Sequence, residues 1–122
     1  MVAVEPDHGT LSVEGADREL TSKILAHRVE HFRSPTLGRR LPRLFSDLGL
    51  GAVGMVISTI ATTDLSHGRE QRIVRRYAES AADNGIISAE EAATWLTQLA
   101  TSAASGRYRH ATSVFLVSGR KS

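Results

Sequence analysis

The chain has 122 residues, a formal charge of +2 and 41% hydrophobic residues, of which few are aromatic, so one domain with a core of Leu, Ile, Val and Ala is expected. Its lack of cysteine excludes disulfides, iron–sulfur ligation and thiol catalysis, and fits a reducing, cytoplasmic setting. The small net charge implies no nucleic-acid footprint, and no apolar run approaches the roughly 20 residues of a membrane span.

Met1–Glu5 reads as a buried strand, ended at Pro6 because an X-Pro pair disfavours regular continuation. Asp7, His8, Gly9 and Thr10 follow as a polar turn, with a short extended piece over Leu11–Val13. The amino terminus is not read as a signal peptide, since Glu5 and Asp7 interrupt it. Asp17 is placed to N-cap a helix running to about Phe32, with Leu20, Ile24, Leu25, Val29 and Phe32 as its stripe, and Ser34-Pro35 breaks it.

In the next stretch Leu37, Leu41, Leu44, Phe45 and Leu48 recur at spacings of three and four, the mark of a helix face. Pro42 sets the start of that helix near Leu41, because proline is tolerated in a first turn, and Gly49 caps its end. Val53–Ala61 is apolar and β-branched, which predicts a strand buried on both sides. A third helix is expected over Glu70–Asp83. Ser88-Ala89-Glu90-Glu91 is a capping box opening a fourth to about Ala104, with Trp95 and Leu99 inward, and Thr112–Ser118 is a last strand. The resulting order, β–α–α–β–α–α–β, is α/β.

Two short patterns invite chemistry that their surroundings oppose. Gly49-Leu50-Gly51-Ala52-Val53-Gly54 spells G-x-G-x-x-G, yet a phosphate loop must follow a strand and open a helix, whereas here it closes a helix and opens a strand. His27-Arg28-Val29-Glu30-His31 spells H-x-x-E-H, and on a helix His27 and His31 share a face. A catalytic zinc also needs a third protein ligand and supporting partners, so the two histidines are read as lining a wet or pocket-facing helix side. Arg39, Arg40 and Arg43 read as a solvated face opposite the leucines, and Trp95 and Tyr77 as packing.

The more informative group is Glu5, Asp7 and His8. Ligands of open α/β sheets bind beyond the carboxyl ends of strands, and Glu-Pro-Asp-His sits at such an end. The alternative is that Asp7 and Thr10 only satisfy backbone amides of the turn, and pattern alone leaves both open.

Val2–Leu11 (VAVEPDHGTL), Gly38–Leu50 (GRRLPRLFSDLGL), Ile87–Leu99 (ISAEEAATWLTQL) and Gly106–Lys121 (GRYRHATSVFLVSGRK) together resemble the C-terminal half of class I S-adenosylmethionine-dependent methyltransferases. The nearest group is the small-molecule enzymes related to ubiquinone and menaquinone biosynthesis. The resemblance implies a partial Rossmann-like sheet of about three strands. Val2–Glu5 would be the fifth family strand, Val53–Ala61 the sixth, and Ser113–Ser118 an antiparallel seventh inserted between them.

It also implies S-adenosyl-L-methionine as cofactor, bound in the first four family strands, for which this sequence shows neither the glycine loop nor the acidic ribose ligand. The expected partners are therefore a small-molecule methyl acceptor and a chain supplying the cofactor half, or a second copy of this chain. By position the resemblance puts Asp7 and His8 near the acceptor, with His8 as the base, Tyr108 closing the pocket, and His27 and His31 as further lining. A departure is His8 itself, where a bulky aromatic is expected in close relatives. The competing expectation is a non-catalytic binding or assembly module; a zinc hydrolase on His27 and His31 ranks last.

Overall fold

The computed structural model describes residues 1–30 and 37–121. The elements run β1 (Val2–Glu14), α1 (Arg18–Glu30), α2 (Leu37–Asp47), β2 (Gly51–Thr62), α3 (Gly68–Asp83), α4 (Ala89–Ala104) and β3 (Arg109–Arg120). The fold is α/β, in the order expected from the sequence. Among the described residues no helix is long and apolar enough to cross a membrane. The expected end of the first helix, at Phe32 and Ser34-Pro35, lies outside the described residues, as does His31.

The strands form one open sheet in the order β1-β3-β2. β3 is antiparallel to both neighbours, so β1 and β2 run parallel to each other. The last strand is thus central and reversed. In register, Val4, Leu116 and Val56 lie side by side, as do Glu5, Phe115 and Ile57 on the next row. Successive residues of a strand face opposite ways, so these two rows mark the two faces of the sheet.

One face is covered by α2. Leu41 and Phe45 of that helix pack with Phe115 and Val117 into a small core. Gly38 lets α2 come down onto the strands: a Cβ there would stand 2.7 Å from Phe115 Cδ2 and 3.2 Å from the Glu5 carbonyl oxygen. On the other face, Val4 (61% exposed), Leu116 (42%) and Val56 (61%) form an uncovered apolar row.

The larger core lies beyond one end of the sheet. Ile24 of α1, Val74 and Ala78 of α3, and Trp95 and Leu99 of α4 pack together there, joined to the strands through Val13 and Tyr108. Trp95 is wholly buried and donates from Nε1 to Thr21 Oγ1 at 2.9 Å, which ties α4 to α1 and satisfies the one polar atom of the indole. Asp17 caps α1, accepting from the Leu20 amide at 2.9 Å. The Ser88–Glu91 capping box is present with both of its bonds.

Three expectations are corrected. β1 does not end at Pro6 but runs on to Glu14, with Pro6 opposite Val114. An edge strand tolerates a residue without an amide hydrogen. The polar turn is absorbed instead as an irregularity, since Asp7 pairs with Ser113 and Ser12 with Ala111.

α2 begins at Leu37, with Pro42 inside it. The amide hydrogen Pro42 lacks would have met the Gly38 carbonyl, and burial of Leu41 and Phe45 outweighs that loss, since packing overrides local preference. Gly49 takes the left-handed conformation (φ 81°) that closes this helix.

β2, expected to be buried on both sides, is instead an exposed edge strand, with Ile57 54% and Ile60 62% accessible. Its β-branched composition makes it a strand. Burial, however, depends on neighbours, and β2 has β3 along one edge and only α2 above one face.

Candidate functional site

The parallel strands β1 and β2 direct their carboxyl ends to the same end of the sheet, and His110 of β3 lies between them, opposite Val13 and Thr62. The first turn of α3 delivers Glu70 to the same place. Glu70 Oε1 accepts from the Tyr108 hydroxyl at 2.6 Å and meets His110 Nδ1 at 2.7 Å. The other ring nitrogen, Nε2, lies 3.2 Å from the Tyr77 hydroxyl. Tyr77 and His110 meet edge to face with ring centroids 5.6 Å apart, and the Arg28 guanidinium lies 5.2 Å from the Tyr77 ring centroid.

Glu70 and Tyr77 of α3, His110 of β3 and Tyr108, just before β3, thus form one chain of hydrogen bonds, Tyr108–Glu70–His110–Tyr77. Burial raises the pKa of both tyrosines, and for Tyr108 the bond to Glu70 raises it further. Both phenols are therefore held neutral, and Tyr108 donates to the Glu70 carboxylate. Glu70 and His110 also line a cavity of about 630 Å³ whose walls include Ile60, Ile73 and Ala111.

The residues singled out from the sequence fall elsewhere or serve differently. Asp7 and His8 do not stand at the carboxyl end of a strand; they are within β1, at its irregular stretch. Asp7 is completely buried. Its Oδ1 accepts the Gly9 amide at 3.0 Å, its carbonyl accepts the Thr10 hydroxyl at 2.6 Å, and its Oδ2 is paired with Arg39 Nε of α2. The turn-satisfying role and an ion pair are both realised. Arg39 is accordingly not a purely solvated residue.

His8 is partly buried, and that burial lowers its pKa, more than Glu5 and Asp7 nearby raise it. His27 joins two helices, its Nε2 3.0 Å from Ser80 Oγ of α3. Tyr108 is buried, its hydroxyl donating to Glu70. Among the described residues, no group of three or more His, Cys, Asp or Glu side chains is placed to hold a metal ion.

The Gly49–Gly54 run is not a phosphate loop. Gly49 closes α2 and Gly51 opens β2, so the carbonyl end of a helix, not its amide end, faces the loop.

Glu70 and His110 were missed because each looked ordinary in its own segment. A usable signal existed. Glu70 and Tyr77 are seven apart on a helix and so share a face, and Tyr108 precedes His110 by two residues at the start of the last strand. Compared with models of known families and with curated proteins, the chain matches neither a family model nor a curated protein.

Proposed function

We propose that this chain is the acceptor-side portion of a class I S-adenosylmethionine-dependent methyltransferase fold acting on a small molecule in the cytoplasm. The methyl donor would be held on strands that add to the outer edge of β1. The observation that carries this reading is the uncovered sheet: among the described residues β1 pairs with no strand but β3, and the apolar row Val4–Leu116–Val56 is exposed. Sheets of the doubly wound class are covered by helices on both faces. An antiparallel strand set between two parallel ones fits the same reading. In it, His8, kept neutral by its lowered pKa, is the base that faces the acceptor beside the Asp7–Arg39 pair.

The same bare edge and the reversed glycine run support a second reading, a non-catalytic assembly module that pairs with a partner chain or a second copy. Calorimetric titration with S-adenosylhomocysteine separates the two. The chain alone gives no saturable heat. A mixture with the chain encoded upstream of it binds if the methyltransferase reading holds, and absence of binding in both arms leaves the assembly module.

A further inference from the structure

We infer that the cavity between the carboxyl end of β2, the start of β3 and the first turns of α3 binds a small molecule carrying an acidic hydroxyl on an apolar body, of the phenol or enol class, through Glu70 and His110. The inference stands on the cavity and its side chains and does not require the methyltransferase reading. At about 630 Å³ the space lies within the ordinary range for small-molecule sites. Ile60, Ile73 and Ala111 supply apolar wall, and Glu70 and His110 are among its polar groups, with Arg69, Asp64 and His67. The Glu70 and His110 side chains are each 13% exposed, so they are reachable from the cavity yet largely stripped of water.

The hydrogen-bond arrangement selects the ligand chemistry. Tyr108 and His110 both bond Glu70 Oε1, which fixes the carboxylate plane and leaves Oε2 as its remaining acceptor. A carboxylate offers no donor, so the partner it suits is a hydroxyl, and an acidic one gives the stronger charge-assisted bond. In the neutral tautomer with its proton on Nδ1, shared with Glu70, His110 offers an Nε2 lone pair, and Nε2 already meets a phenol, the Tyr77 hydroxyl. At 3.2 Å this contact is long for a hydroxyl donor, so a bound hydroxyl competes with it readily. Arg69, which also lines the cavity, offsets the negative charge a ligand oxygen gains as its proton is shared with the pair. No covalent bond forms or breaks beyond this sharing of the hydroxyl proton.

The probe is p-nitrophenol, whose absorption shifts when its hydroxyl proton is shared, titrated into the intact chain with nitrobenzene as a competitor lacking the hydroxyl. The expected result is a saturable shift toward the phenolate band, weakened about tenfold in Glu70→Gln, the loss expected for a hydrogen bond to a charged group. Ile60→Trp, at an exposed position on the cavity wall, leaves the network and fold intact and blocks the shift. Nitrobenzene fails to compete. A shift that does not saturate, one unchanged in Ile60→Trp, or effective competition by nitrobenzene overturns the inference.

Discussion

The carboxylate of Asp7, wholly enclosed within β1, is paired with the guanidinium of Arg39, which reaches it from α2 with half of its own side chain in solvent. The pair fixes the helix to the edge strand. Removing the cation leaves a buried charge with only the Gly9 amide for support, and such orphaning costs more than the pair itself contributes. Arg39→Met is therefore expected to lower stability by about 2 kcal/mol. In Asp7→Asn/Arg39→Met the total loss is smaller than the sum of the single losses. Urea unfolding of the three variants measures this.

The close approach at Gly38 makes a second demand. Adding a methyl there meets the buried Phe115 ring and the Glu5 carbonyl together, and a backbone oxygen cannot step aside as a side chain can. Gly38→Ala is expected to destabilise the chain by about 1–3 kcal/mol, the range for overpacking. Thermal unfolding monitored by circular dichroism checks it.

Alkaline pH probes the Tyr77 and Tyr108 hydroxyls. Both native pKa values lie above the ordinary value of 10, so the unfolded chain releases these protons first. Stability is then fully present below pH 10 and falls as pH rises beyond it. The chain holds only two tyrosines, so tyrosinate absorbance is expected to appear in step with unfolding rather than before it, and Tyr108→Phe makes the alkaline loss shallower.

His8 works in the other direction. Its native pKa is depressed below 6.5, so as pH falls through that value the unfolded chain takes up a proton that the native imidazole refuses. Stability drops from pH 6.5 downward until the native pKa is passed. His8→Gln is expected to reduce that acid slope, measured from denaturant midpoints between neutral and mildly acidic pH.

The bare apolar row predicts association. Val56→Lys places a charge on an exposed edge strand, a device that discourages edge and face pairing. It is expected to shift the elution of concentrated samples toward the monomer while changing stability by less than about 0.5 kcal/mol, as for surface positions generally. Size-exclusion chromatography over a concentration series reads the outcome.

Element types were legible because they follow local rules. The Ser88–Glu91 box and the leucine spacing before Gly49 each encode a structure within a few residues. Burial was less legible. Val53–Ala61 has the composition of an interior strand, but whether a strand is interior depends on what lies beside it, and no local pattern states that. The candidate site was hardest, because Glu70 and His110 are forty residues apart and only the meeting of α3 with β3 makes them partners. Pro6 misled for a related reason: a proline that would end a central strand is harmless on an edge.

One arrangement governs how this chain comes to be folded. β1 and β2 make no ladder with each other, and among the described residues the ladder partner of each is β3, the last of the three to leave the ribosome. During synthesis neither earlier strand has a native mate, so the sheet must wait for its final member to thread into the gap and zip both sides. Such distant pairings are slow to close. The early strands meanwhile spend that interval as unclaimed, sticky ribbons, within reach of other nascent chains.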